Sequence, residues 1–226
     1  MKYKLKPPSC RSFRNYPRTE REIERSRHQP IHGVGINDAN YLVHPTDRGH
    51  QKRCSYYLTW KNMISRCYNA KQHIISPTYA MCTVTPEWHS FMTFRAWMQQ
   101  QRWRGKHLDK DIILKGNKVY APLTCMFVPP HVNALLLDRE SRRGTWPVGV
   151  HRTNGKMRKF RAQMRIGVGK KSLGNYVNAS AAADAYAEGK ASYIRSLIPM
   201  MKGEDPRLGP ALERVAESMW PVAKTH

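Results

Sequence analysis

Acidic residues are scarce in this chain. Sixteen Asp and Glu stand against 39 Lys and Arg in 226 residues, a formal net charge of +23. That balance puts nucleic acid first among partners and an acidic membrane surface second. Long apolar runs are missing as well. The hydrophobic residues fall in short periodic segments, which excludes a spanning helix and removes the membrane reading. Cysteine is sparse and unpatterned: Cys10, Cys54, Cys67, Cys82 and Cys125 are odd in number and contain no CxxC pair. This usage fits a reducing compartment and buried core thiols. A zinc site from Cys54, Cys67, Cys82 and a histidine would lack the close ligand pairs such sites use. The amino end, MKYKLKPPSCRSFRNYPR, has neither the apolar block nor the small-residue cleavage site of a secretory signal. It reads as a basic arm of an intracellular, non-secreted protein.

What is present centres on Trp146 to Tyr176. From Phe160 to Ile166 apolar Phe160, Ala162, Met164 and Ile166 alternate with Arg161, Gln163 and Arg165. This is the pattern of a half-buried strand with its long polar side chains on the side opposite the core. Asn154-Gly155 before it and Gly167 to Gly169 after it predict tight turns to flanking strands at Val148–Arg152 and Ser172–Tyr176. No Asp or Glu occurs between Glu140 and Asp184, although the interval holds Arg142, Arg143, Arg152, Lys156, Arg158, Lys159, Arg161, Arg165, Lys170 and Lys171. A solvated face usually interleaves acids. A bare positive face repels itself and points to a polyanion. The Ala-rich stretch after it, Asn178 to Ile198, predicts a helix capped by Asn178 or Ser180 that supplies the sheet's core.

GVHR, KFRAQMRI, KKSLGNY and AAADAYAEGKASYI together resemble the APETALA-type DNA-binding domain over most of Gly144 to Leu197. The resemblance implies a three-stranded sheet lying in the major groove of double-stranded DNA. His151, Gln163 and Arg165 fall on family contact positions, and strand alternation adds Arg152, Lys159, Arg161 and Lys171. The family's contact Trp is replaced near Met157. Arginine can fork onto guanine, whereas lysine suits phosphate.

Upstream, HLDKDIILKGNKVYAPLTCMFVPPHVN predicts strands at Ile112–Leu114 and Val119–Tyr120 around a Gly116-Asn117 turn, with a helix opened by Pro129-Pro130. Strand, strand and helix is the ββα unit of His-metal finger nucleases. With WKNMISRCYN and EWHSFMTFRAWM before it, the segment resembles phage-type HNH homing endonucleases, in which the nuclease module precedes an APETALA-like reader. The combined resemblance covers about Tyr57 to Leu197 and implies a phage or mobile-element protein working in the host cytoplasm. It places Asp109 and Asn133 as ligands of Mg2+ or Mn2+, and Lys110 at the general-base His position. A lysine is ordinarily protonated and cannot accept a proton, and Asp109 and Asp111 beside it would raise its pKa further. His107 and His131 are the alternative bases. Salt bridges from Asp109 and Asp111 to Lys110 are the structural alternative to a metal site. Thr124 stands where many members carry a loop-bracing Asn.

Elsewhere, Thr19-Glu20-Arg21-Glu22 predicts a short helix start. Thr59 is read as the cap of a helix with Trp60, Met63, Ile64 and Cys67 on one face. Thr85-Pro86-Glu87 is read as the start of a second, whose Trp88, Phe91, Met92, Arg95 and Met98 make a core stripe in preference to a base-stacking platform. Ile31 to Lys52 carries no readable period. Leu208 to Pro221 predicts a final amphipathic helix.

The expected fold is α+β: a basic arm and irregular region over 1–52, an HNH-like ββα module over 53–140, a three-stranded antiparallel sheet packed on one helix over 141–200, and a helical tail over 201–226. Two functions compete with metal-dependent cleavage of bound duplex DNA. One is an inactive, nuclease-derived DNA-binding regulator. The other is a basic protein of RNA or of a nucleoprotein assembly.

Overall fold

A Thr-x-x-Glu capping box opens α1 (Glu20–His28), as the sequence predicts: the Thr19 hydroxyl accepts from the Glu22 N–H, and the Glu22 carboxylate accepts from the Thr19 N–H at 2.9 Å. The computed structural model describes residues 16–47, 50–136, 145–154, 157, 159–167 and 169–219. Most of the expected basic arm, Arg142, Arg143, Gly155, Lys156, Arg158 and the end of the final helix's predicted span lie outside the described residues. The architecture is mixed α+β with small sheets, and the chain divides into two compact units. One comprises the chain up to Arg104 plus Leu108–Phe127; the other comprises Gly105–His107 plus the chain from Val128 onward.

The first unit is built on aromatic rings. α2 (Ser55–Tyr68) buries Tyr56, Tyr57, Trp60, Met63, Ile64 and Cys67, one stripe at helical spacing. The helix starts at Ser55, four residues before the expected cap. Thr59 lies in its second turn and turns its hydroxyl back to the Ser55 carbonyl at 3.0 Å. A short helix, α3 (Ala70–Ile75), follows it.

The Thr85-Pro86 signal produces a single 3-10 turn, Pro86–His89. α4 (Phe91–Gln99) begins beyond it, where Ser90 caps Thr93 N–H at 3.1 Å and the Asp38 carboxylate accepts from the Ser90 hydroxyl and the Met92 N–H. Trp88, Phe91, Phe94 and Met98 are buried, so the stripe is core. The unreadable stretch before α2 contributes to that core through Ala39, Tyr41 and Val43, and it contains a two-residue ladder between β1 (Thr46–Asp47) and β2 (His50–Gln51). Cys54, Cys67, Cys82 and Cys125 are buried in this cluster, as core thiols.

The expected hairpin after Arg104 is replaced by a different pairing. β3 (Thr83–Val84) pairs in parallel with β5 (Val119–Tyr120), and β4 (His107–Asp109) pairs with β6 (Met126–Val128), which leads into α5 (Pro130–Leu136). Ile112–Leu114 is not a strand. The Asp109 carboxylate accepts from the N–H groups of Asp111 and Ile112, both at 2.8 Å, and this turn takes the chain out of extended geometry. Asn117 braces the loop. Its amide donates to the Lys110 and Val119 carbonyls and its Oδ1 accepts from Val119 N–H.

In the second unit β7 (Val150–Arg152), β8 (Phe160–Ile166) and β9 (Gly169–Tyr176) form the antiparallel sheet, in the order β7-β8-β9. The third strand begins at Gly169, three residues before the expected start. α6 (Ala179–Leu197), capped by Asn178 at 2.8 Å, covers one face of the sheet. α7 (Leu208–Ser218) packs on α6 through Leu208, Ala211, Leu212 and Ala216, and Arg195 Nε meets Glu213 Oε1 at 2.7 Å. No described helix is long and apolar enough to cross a membrane.

Candidate nucleic-acid interface

Strand alternation divides β8 cleanly. Ala162 and Met164 are buried toward α6, Arg161 and Arg165 are exposed, and Gln163 is half-buried. Residues directly opposed across a ladder share a face. His151 opposes Arg161, and Arg161 opposes Asn175, so these three cross the open face in one row, with Arg161 Nε donating to Asn175 Oδ1 at 3.2 Å. Gln163 opposes Ser172 and Arg165 opposes Lys170 in the next rows. Lys159 precedes the strand, its carbonyl accepting from Thr153 N–H at 2.7 Å, and alternation puts its side chain on the same open face.

Two of the expected contact residues fall on the other side. Arg152 opposes Phe160, which packs on the core, and Lys171 opposes the buried Met164. Both are exposed, at the margin of the helix-covered face. The reason for Lys171 is a register shift between Ala162 and Gln163. Continued without a break, the pairing of Arg161 with Asn175 and of Ala162 with Gly174 would set Lys171 opposite Arg165. The extra residue in β9 brings Lys170 there instead, as a bulge does. Alternation alone therefore misses Lys170 and Ser172, whereas Asn175 lies before the shift and keeps the face that alternation gives it. The local signal is Gly174 inside the strand, at φ +131 beside the shift.

The covered face is thin. Val150, Ala162 and Ala182 are its buried core, with Phe160, Leu173, Tyr176 and Tyr186 packed around them. Gly149, at φ +77, is where β7 starts, and a Cβ there would lie 2.0 Å from the Tyr186 ring. Glycine is therefore required by both conformation and space. Trp146 packs edge-on against Phe160 with ring centroids 4.9 Å apart, and Met157 is 83 % exposed. The open face presents guanidinium, ammonium, imidazole, amide and hydroxyl groups, in a stretch of chain with no carboxylate. That inventory matches the donors that hold phosphates and read base edges.

The residues expected to form a nuclease site sit on β4, in the loop after it and on α5. Lys110 is 5 % exposed. Its Nζ donates to Asp111 Oδ1 at 2.6 Å and to the Asn117 carbonyl at 2.7 Å, and it sits 5.8 Å from the centre of the Tyr120 ring. Burial works to lower its pKa, but the hydrogen bond and charge of Asp111 outweigh burial and the net direction is upward. This ammonium keeps its proton. Asp109 is half-buried with Oδ1 committed to two backbone N–H groups, and burial pushes its carboxyl above the ordinary value. Asn133 on α5 brings its amide to 3.4 Å from His107 Nδ1, and His131 is exposed on the same helix. Thr124 donates to the Val119 carbonyl at 3.0 Å, so it shares the loop-bracing role with Asn117.

A hard divalent cation needs several oxygen ligands together. Among the described residues no three His, Cys, Asp or Glu side chains come together in a way that could hold a metal ion. Asp109 Oδ1 is taken by two backbone N–H groups, and the Asn133 amide faces His107. No family model, curated protein or solved structure matches this chain.

Proposed function

We propose that this protein binds double-stranded DNA through the open face of β7-β8-β9, with Arg161, Gln163 and Arg165 toward the bases and Lys159, Lys170 and His151 toward the backbone. The observation that carries the reading is the acid-free row structure of that face: three strands hold arginine, lysine and amide groups on one side while the other side is filled by a helix. An antiparallel β layer of this width can enter a major groove. The likeness to APETALA-type readers agrees with this arrangement and belongs to the same proposal.

In this reading the chain holds DNA and does not cut it. Lys110 has no lone pair to offer a water, and Asp109 is engaged in its own loop. The rival reading, metal-dependent cleavage in the manner of HNH enzymes, draws on the order β4, β6, α5 with Asp109 on the first strand, Asn133 on the helix and His107 Nδ1 beside the Asn133 amide.

One experiment addresses both. Full-length protein is titrated with labelled duplex DNA in competition with single-stranded DNA and structured RNA, then incubated with plasmid and Mg2+ or Mn2+. Duplex should compete best and the plasmid should stay intact. Arg165→Ala should weaken a selected site by about 1–3 kcal/mol and bulk DNA by less. Better competition by RNA would move the protein to the RNA or nucleoprotein class, and nicking that disappears in Asp109→Ala would restore the nuclease.

A further inference from the structure

We propose that the paired segments Val43–Thr46 and Gln51–Cys54, together with the flank of α2 that carries Lys61, are a second phosphate-binding surface, taking a sugar–phosphate backbone of duplex DNA. The inference rests on the DNA-binding reading above and extends it to the first unit.

The backbone ladder is longer than its two short strands. Cys54 N–H donates to the Val43 carbonyl at 3.0 Å and Lys52 N–H to the Pro45 carbonyl at 2.9 Å, in the same register as the Thr46–Gln51 and Asp47–His50 pairs. That register sets His44 opposite Arg53. Val43, Pro45 and Cys54 are buried, so alternation turns His44, Arg53, Thr46 and Gln51 to the other side, where Arg53, Thr46 and Gln51 are exposed. His44 packs edge-on against Tyr57 of α2, ring centroids 5.2 Å apart, which fixes it at the flank of the helix. Lys61 is exposed on that helix, one turn beyond Tyr57. Burial first, and then the charges of Lys61 and Arg53, hold the His44 imidazole below its ordinary pKa.

Acids are scarce in the sequence around this cluster. Between Asn40 and Pro86 the only acid is Asp47, against Arg48, Lys52, Arg53, Lys61, Arg66 and Lys71. Among the described residues neither Arg53 nor Lys61 makes a salt bridge. Like charges held together on a hydrogen-bonded frame cost stability unless an anion accompanies them. The neighbouring hydroxyl of Thr46 and amide of Gln51 are the neutral donors that accompany Lys and Arg on phosphate oxygens. A ladder tied into the core presents these groups with little ordering cost. A phosphodiester backbone, with charges at a regular short spacing, suits this mixture better than a carboxylate-bearing protein surface.

The test measures DNA affinity by fluorescence anisotropy across a NaCl series. It uses the full chain, a duplex of about 40 bp and the double variant Arg53→Ala/Lys61→Ala. Each lost phosphate contact flattens the plot of log K against log salt by about 0.9, so the double variant should flatten it by about two. Lys115→Ala/Lys118→Ala removes the same charge from an exposed loop of the same unit and should leave the slope near that of the unaltered protein. An Arg53→Ala/Lys61→Ala variant indistinguishable from the unaltered protein, or a loop variant that flattens the plot equally, overturns the inference while leaving the sheet's role intact. Loss of binding to a polyglutamate probe with unchanged DNA binding overturns it in favour of an acidic protein partner. Failure of the unaltered protein to bind duplex removes the DNA reading itself and this extension with it.

Discussion

The loop after β4 and the sheet β7-β8-β9 each set cations beside a short strand, and they treat those cations in opposite ways. Lys110 is folded inward, where Asp111, the Asn117 carbonyl and the Tyr120 ring surround it. Arg161, Arg165 and Lys170 are turned outward on a face whose local chain holds no acid. A charge supplied with acceptors from its own chain is part of the fold, and removing it exposes those acceptors. A charge left without a carboxylate has its counter-ion elsewhere, and in the function proposed above that counter-ion is a polyanion. The cores beneath follow the same division. The loop belongs to a unit filled by large rings such as Trp60, Trp88 and Phe91, while the sheet rests on a thin layer of alanines that leaves one whole face uncovered.

Reversing the outward charges is the severest way to break this contrast. Arg161→Glu/Arg165→Glu/Lys170→Glu should lower duplex affinity by a factor of about a thousand or more at moderate salt, since three phosphate or base contacts are lost and repulsion replaces them. The thermal unfolding midpoint should hold, because all three side chains are exposed. Binding that survives the triple reversal would mean that the face is an ordinary solvated surface.

The inward charge should behave as the mirror image. Lys110→Met keeps the volume and removes the ammonium, leaving the Asn117 carbonyl and the Asp111 carboxylate without their donor. The expected cost is about 2–3 kcal/mol of stability, with the share from the half-exposed Asp111 discounted for solvent screening. DNA affinity should change less than twofold. A lysine whose pKa is raised in the folded state contributes stability that is fully present below the unfolded value and is lost as pH rises through the folded value. The deficit of Lys110→Met in urea unfolding should therefore be constant through neutral pH and shrink only above the ordinary lysine value of 10.5. If DNA binding falls and stability does not, Lys110 belongs with the outward cations.

How far the sequence foretold this arrangement depended on whether a signal was local. The alternation of Phe160 to Ile166 and the caps Thr19 and Asn178 lie within a few residues of what they control, and the elements follow them. Ile112-Ile113-Leu114 misled because an apolar run before a Gly116-Asn117 turn looks like one arm of a hairpin, while the outcome was set by the Asp109 carboxylate catching two N–H groups of its own loop. The Val43–Cys54 ladder was hidden because its apolar residues serve a core completed by α2 and α4, far along the chain. The face of β9 was the least readable part: its parity depends on how it registers against β8, and one extra residue reverses it.

That reversal supplies the finest test, because adjacent lysines differ only in which side of a strand they occupy. Lys170 opposes Arg165 and Lys171 opposes Met164. If the open face holds DNA, Lys170→Ala should flatten the salt dependence by about one and weaken binding about threefold, while Lys171→Ala stays within about 1.5-fold of the parent. Equal charge removal at neighbouring positions cancels any effect of net charge, so the difference between the two variants reports geometry alone. An effect at Lys171 and none at Lys170 would restore the unbroken register, with Lys171 beside Arg165. Equal effects at both would mean that the DNA senses this edge only as diffuse charge, and the row-by-row assignment of contacts would lose its basis.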